Sequence, residues 1–253
     1  MRIRALLHWT QRLANDREAS KKDRQPTARK IRFDMDYEYV SWNRFYRLCG
    51  VLYGRIARSG FVPDQIVAIA RGGYPPGRVM ADFFGLMDLV SLKIEHYRGP
   101  DKLPLARVQY PLAAPIDDRR VLLVDDVSDS GDTFAAALEH LRDHGVPAEV
   151  RTAVLHHKQT SSHVSDYWGQ RLLRWRWITY PWAVVEDVSV LASRLESVPK
   201  NVDELERFLS VKVGLSLPSG VLSQIGPAVL DRLSDNASVR ISAGEVRRDS
   251  EQS

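Results

Sequence analysis

Apolar residues recur with helical spacing at Trp42, Phe45, Tyr46, Cys49, Leu52, Tyr53 and Ile56. This predicts an amphipathic helix, N-capped by Ser41 and closed at Gly60. Pro63-Asp64 then turns the chain into a continuous apolar run, Ile66 to Ala70, of the length of a short buried strand. A second helix passes through Met80, Phe83 and Phe84, and Leu89 to Ile94 reads as a further strand. Val121 to Val124 is apolar at every position, as in a strand covered on both faces, and Phe134, Ala137, Leu138 and Leu141 return to helical spacing until Gly145. Ala148 to Leu155 is a further strand. Strands alternating with helices predict an α/β fold: an open, mainly parallel twisted sheet with helices on both faces. Such sheets bind ligands beyond the carboxyl ends of their strands.

The pattern changes at three places. Residues 1–15 suit a short amphipathic helix, and polar residues 16–30 suit a linker, so a partly disordered N-terminal extension is expected over 1–33 and a main domain over 34–195. Between His96 and Asp118 lies a long connection holding Gly99, Pro100, Pro104, Pro111 and Pro115, the mark of a lid, a hairpin or a disordered segment. Past Leu191, Val202, Leu205, Phe208 and Leu209 form one helical pattern. Val221, Leu222, Ile225, Val229, Leu230 and Leu233 form another, with breaks at Pro199 and Pro218. A small helical extension over 196–253 with a disordered tail is therefore expected; the two helices also suit a helix-turn-helix.

Composition narrows the class. The chain has 253 residues and a net charge of +4, but ten basic against three acidic residues in 1–33 put +7 there and leave −3 for the rest. Such a tail suits either a solvated extension or an acidic partner, and nucleic acid is not the expected partner. No apolar run reaches the roughly 18 residues needed to cross a bilayer, so no membrane association is expected and a cytoplasmic location is. The single cysteine, Cys49, lies on the apolar face of the first helix, as a core thiol would. No repeat of 20 to 50 residues is present.

The chemistry concentrates where strands end. After Val124 come Asp125-Asp126-Val127-Ser128-Asp129-Ser130-Gly131-Asp132-Thr133, and then a helix. Backbone N–H groups, the positive helix end and two hydroxyls at Ser130 to Thr133 suit a phosphate. Asp125 and Asp126 can hold vicinal hydroxyls or a magnesium ion. The same residues also suit a helix start that is merely capped and solvated. A nucleotide-triphosphate loop is excluded, because no Gly-Lys-Ser/Thr follows the strand. Arg71-Gly72-Gly73, directly after the Ile66 to Ala70 strand, offers a cation and close backbone approach to a pyrophosphate, or forms an ordinary turn. His156-His157 has no second pair at ligand spacing, so zinc is not expected. Trp175-Arg176-Trp177-Ile178-Thr179-Tyr180-Pro181-Trp182 offers flat apolar faces of the size of a bicyclic base.

Two acids, two variable residues and Asp-Ser-Gly-Asp-Thr resemble the signature of type I phosphoribosyltransferases, which bind 5-phosphoribosyl-1-pyrophosphate (PRPP); Ser130 stands where that family more often has Thr. Trp-Ile-x-x-Pro-Trp is similar to the base-binding stretch of bacterial and archaeal xanthine, guanine and hypoxanthine phosphoribosyltransferases. The resemblance covers roughly residues 34–187. It implies transfer of the phosphoribosyl group of PRPP to a 6-oxopurine, with release of pyrophosphate, in purine salvage. It implies Asp129 as general base, Asp125 and Asp126 at the ribose and magnesium, and Asp129 to Thr133 at the 5-phosphate. Arg71, Gly72 and Gly73 fall at the pyrophosphate, with a cis Ala70–Arg71 peptide, and Lys158, Trp177 and Ile178 fall at the base. Lys102 or Arg107 of the long connection would reach the leaving pyrophosphate, and Trp182 reads as core. A homo-oligomer, dimer or tetramer, is expected. The family usually has an acid after the second tryptophan; this chain has Ala183, with Glu186 and Asp187 further on. That departure keeps open a transferase of the same fold for another nucleobase, and the basic tail keeps open a non-catalytic PRPP-binding regulator of nucleic-acid binding.

Overall fold

The computed structural model describes residues 35–98, 101–195, 199–218 and 220–234. The extension expected over 1–33 and the tail beyond Ser234 lie outside them. Asp34–Ser253 is one compact unit. Its elements in order are β1 (Tyr37–Tyr39), α1 (Trp42–Arg58), β2 (Gln65–Ala70), α2 (Tyr74–Phe84), β3 (Leu89–Arg98), β4 (Asp101–Tyr110), β5 (Arg120–Ser128) and α3 (Asp132–His144). Then come β6 (Glu149–Lys158), β7 (Tyr167–Leu172), β8 (Trp177–Thr179), α4 (Val184–Ala192) and α5 (Val202–Arg207), which continues as a π-helical turn (Phe208–Val213). Residues 221–234 form the last described helix, α6.

Six strands make one sheet in the order β4-β3-β2-β5-β6-β7, parallel except for the β3–β4 pair, so the expected fold class is the observed one. Alternation along the central strands sorts the core into two layers. Ile66, Leu122, Val124 and Leu155 pack with Phe45, Leu52 and Ile56 of α1 and Met80 of α2 on one face. Val67, Ile69, Val121, Leu123 and Val154 pack with Phe134, Ala137 and Leu141 of α3 on the other. A central strand covered on both faces needs an apolar residue at every position, which is why β5 begins as it does. Cys49 is buried in the first layer.

Ser41 caps α1 by accepting from the Arg44 N–H, and Gly60, with φ of 78°, follows the cap residue Ser59. Two strand boundaries differ from expectation. β3 runs on to Arg98 and pairs antiparallel with β4, so the proline-rich connection is largely a hairpin, with Arg107 opposite Glu95. Pro104 is tolerated there because β4 is an edge strand with one side free of ladder bonds. β6 extends through His156, His157 and Lys158 instead of ending at Leu155, held by parallel pairing to both β5 and β7. A separate two-stranded parallel sheet joins β1 to β8.

The two expected C-terminal helices are both present. Asn201 caps α5 by accepting from the Glu204 N–H, while the Glu204 carboxylate accepts from the Lys200 N–H. Leu205, Leu209, Val229 and Leu233 are buried. No helix among the described residues is long and apolar enough to cross a membrane.

Candidate active site

The carboxyl ends of β2, β5, β6 and β8 border one cavity of about 740 Å³. It brings together Arg71, Gly72, Asp125, Asp126, Asp129, Ser130, Gly131, Thr133, Lys158, Trp177 and Ile178. Two expected residues lie behind its lining. Gly73 caps α2, and its N–H already donates to the Ile69 carbonyl at 2.8 Å, so its amide serves the fold and not an anion. A side chain there would strike the Val124 carbonyl, 2.4 Å from an ideal Cβ. The Asp132 carboxylate accepts from the Ser130 hydroxyl at 2.8 Å and fixes the loop instead of facing the cavity.

The acidic turn is built in layers. Asp125 is buried, and its carboxylate accepts from the Asp126 N–H. Burial pushes the carboxyl well above the usual range, and the neighbouring Asp126 pushes it further. Burial likewise raises Asp126, against hydrogen bonds from the Val127 N–H and the Trp182 indole. The Asp126 carboxylate lies against the loop after β2, where an added Cβ on Gly72 would come within 2.5 Å of it. The Ala70–Arg71 peptide in that loop is cis, as expected. Behind the turn, the Tyr180 hydroxyl donates to the Asp126 carbonyl at 2.8 Å and meets His156 Nδ1 at 2.7 Å. Burial holds His156 down to about 4, so the ring is neutral near pH 7 and serves as scaffold.

Gly131 starts α3 with φ of 93°, a conformation that favours glycine, and an ideal Cβ there would stand 2.5 Å from the His163 N. The first ladder bond of α3 runs from Ala135 N to Gly131 O, so the helix start faces the end of β5 with N–H groups that precede the ladder. Ser162 steadies the loop: its N–H and its hydroxyl both donate to the Ser130 carbonyl, at 2.9 and 2.8 Å.

On the far side Lys158 is buried and its Nζ lies 2.8 Å from Asp129 Oδ2. Burial lowers its pKa, and Asp129 pulls it back up. This burial excludes a solvated surface lysine at that position. Trp175, unassigned in the sequence, donates from its indole to Asp129 Oδ1 at 3.0 Å and lays its ring over the ammonium at 4.3 Å. Thr160 donates to the Asp129 carbonyl at 3.1 Å. Trp177 donates from its indole to Asp187, whose carboxyl burial raises to about 6. Trp182 corrects a simpler expectation: it packs on Tyr180 and Phe45 as a core residue, yet it also lines the cavity and reaches Asp126. Arg71 is exposed and bound by Glu186 of α4 at 2.6 Å. Arg107 is exposed, and the Lys102 side chain lies outside the described ones.

The open α/β sheet, with acidic and cationic loops gathered at its carboxyl edge, defines an enzyme of the phosphoribosyl-transferring class. A model of the phosphoribosyl transferase domain matches residues 37–187, more than half of the chain, and the chain belongs to that family. It is 35% identical over 143 residues to the bifunctional protein PyrR of Corynebacterium glutamicum, covering 52% of this chain and 70% of that one. It is 25% identical over 191 residues to the hypoxanthine-guanine phosphoribosyltransferase of Saccharomyces cerevisiae, covering 58% of this chain and 86% of that one. Among solved structures, the purine phosphoribosyltransferase from Pyrococcus horikoshii aligns with a TM-score of 0.51 at 30% identity, over 58% of this chain and 94% of that chain. The protein is a phosphoribosyltransferase; its base is a separate matter.

Proposed function

We propose that this protein transfers the 5-phosphoribosyl group of PRPP to a ring nitrogen of a 6-oxopurine (hypoxanthine, xanthine or guanine), releasing pyrophosphate. The observation that carries the reading is that Lys158, Trp177 and Ile178 line the same cavity as the acidic turn and Arg71. As the bond from the anomeric carbon to pyrophosphate lengthens, positive charge grows on the ribose, so anions belong beside the sugar and cations beside the leaving group. Asp125 and Asp126 supply the first. Arg71 supplies the second once the pyrophosphate replaces Glu186 as its partner. Ser130, Gly131 and Thr133 anchor the 5-phosphate. Trp177 gives the base a flat face, Ile178 meets its edge, Lys158 donates to its exocyclic oxygen, and Asp129 accepts the proton of the attacking ring system.

Magnesium suits this site. The adjacent carboxyls of Asp125, which is buried, and Asp126, which is partly exposed, are both raised by burial and form an all-oxygen donor set that a bound cation would hold ionised. No group of three or more His, Cys, Asp or Glu that could hold a metal exists among the described residues, so an ion held by Asp125 and Asp126 would need further ligands from outside the protein. Bound there, the ion would neutralise diphosphate charge; Asp125 and Asp126 would hold it.

The raised carboxyls give a pH dependence. In the free protein they hold protons above the usual carboxylate range, and a cation-bridged ligand favours their ionised form, so binding expels protons and tightens as pH rises. Affinity for PRPP with magnesium is expected to increase at least about tenfold between about pH 6 and about pH 8. Calorimetry in buffers of different ionisation enthalpy checks this, and Asp125→Asn should flatten the dependence.

A transferase of the same fold using another nucleobase is the second reading, favoured by Ala183 in place of the acid after Trp182. Pyrophosphate release across hypoxanthine, xanthine, guanine, adenine and orotate, with and without residues 1–33, separates the readings. Release with an oxopurine supports the first, and release with adenine or orotate alone supports the second. PRPP-dependent, salt-sensitive nucleic-acid binding without release would identify a regulator.

A further inference from the structure

Beyond Trp177, the same cavity is lined by residues to which the proposed transfer gives no role. Tyr37 and Trp177 are register partners in the β1–β8 sheet, so their side chains stand side by side on one face, and both line the cavity. Facing them, α4 and the residue after its cap present Asp187, Val190, Leu191 and Arg194, a stripe with helical spacing, and all four line the same cavity. Asp187 is engaged by the Trp177 indole at 3.1 Å. The Tyr37 hydroxyl is buried with no hydrogen-bond partner among the described residues. Arg194 feels Tyr37 electrostatically, and its guanidinium has no ion pair among the described residues.

A buried hydroxyl without a partner is rare, because water is given up with nothing in return. The Tyr37 O–H and the Arg194 guanidinium are thus two donors without a partner among the described residues, on residues that line the same cavity as Trp177. The nearby Asp187 carboxylate accepts from the Trp177 indole and, among the described residues, pairs with neither donor. We propose that Tyr37 and Arg194 set the base specificity by binding an oxygen acceptor or a negative charge on the base edge that faces α4. The enzyme then prefers a heterocycle with an oxo or carboxylate substituent there over one with an amino group or a hydrogen. This reading rests on the proposed oxopurine transfer and extends it to residues outside the Trp-Ile-x-x-Pro-Trp stretch.

The test compares xanthine, guanine and hypoxanthine, which differ at one ring position by oxo, amino and hydrogen, with the full-length chain, PRPP and magnesium. Tyr37→Phe removes only an oxygen that has no partner, so it should fold normally, and Arg194→Met keeps the stem while removing the charge. Wild type is expected to show the highest kcat/KM with xanthine. Each variant is expected to lose at least about tenfold with xanthine and less than about threefold with hypoxanthine, at unchanged PRPP affinity. A wild type active on oxopurines whose xanthine-to-hypoxanthine ratio is the same in both variants overturns this inference and leaves the proposed function standing. A wild type that binds PRPP yet turns over none of the three bases overturns both.

Discussion

Replacing Asp129 by asparagine is expected to lower turnover at least about a hundredfold while PRPP still binds. The substitution keeps the shape of the side chain and one carbonyl oxygen for Lys158, which lies 2.8 Å away, so the base side of the cavity retains its form. What it removes is the ability to accept a proton. A carboxylate held at once by Lys158, the Trp175 indole and the Thr160 hydroxyl is fixed in direction, as a general base must be if its oxygen is to meet one particular ring proton. Steady-state pyrophosphate release gives the turnover and calorimetry gives PRPP binding. Unchanged turnover refutes the assignment of Asp129.

The second large effect is expected at Gly131. With φ of 93° and a virtual Cβ 2.5 Å from the His163 N and 2.8 Å from the Ser162 hydroxyl, alanine meets both backbone strain and a clash with the segment that braces the Ser130 carbonyl. Relief requires the start of α3 to move, and the N–H groups there are the proposed seat of the 5-phosphate. Gly131→Ala should cost about 1–3 kcal/mol in stability. It should also weaken PRPP binding at least about tenfold, a loss larger than stability alone explains, because anion binding by backbone amides depends on their direction. Denaturant unfolding and calorimetry on the same preparation separate the two. Wild-type affinity in a folded variant would move the phosphate to another loop.

Much of the site was legible because its chemistry is local. A continuous apolar run into acids, a small turn and a helix is one piece of backbone, and its residues converge by being neighbours in sequence. Arg71 and Lys158 were legible for a related reason: each lies at the carboxyl end of a strand, and parallel strands deliver all such ends to one edge. Partners from distant segments were not legible. Nothing near Trp175 marks it as the donor to Asp129, 46 residues away, since the contact depends on the path from β7 to β8. Glu186 is a plain surface acid until α4 brings it to Arg71. The length of β6 was hidden because His-His-Lys looks like a strand end, whereas pairing on both edges carries even polar residues inward. The sequence kept a lid, a hairpin and a disordered segment open for the proline-rich connection, because prolines disfavour a strand except at an edge, and the edge position of β4 is a property of the whole sheet.

The most direct measurement is a crystal structure of the full chain with PRPP and magnesium. The 5-phosphate is predicted to sit on the backbone amides after Ser130, with the ribose hydroxyls and the ion at Asp125 and Asp126 and the pyrophosphate beside Arg71 in place of Glu186. Ligand density anywhere else on the molecule, with this turn left bare, would contradict the account.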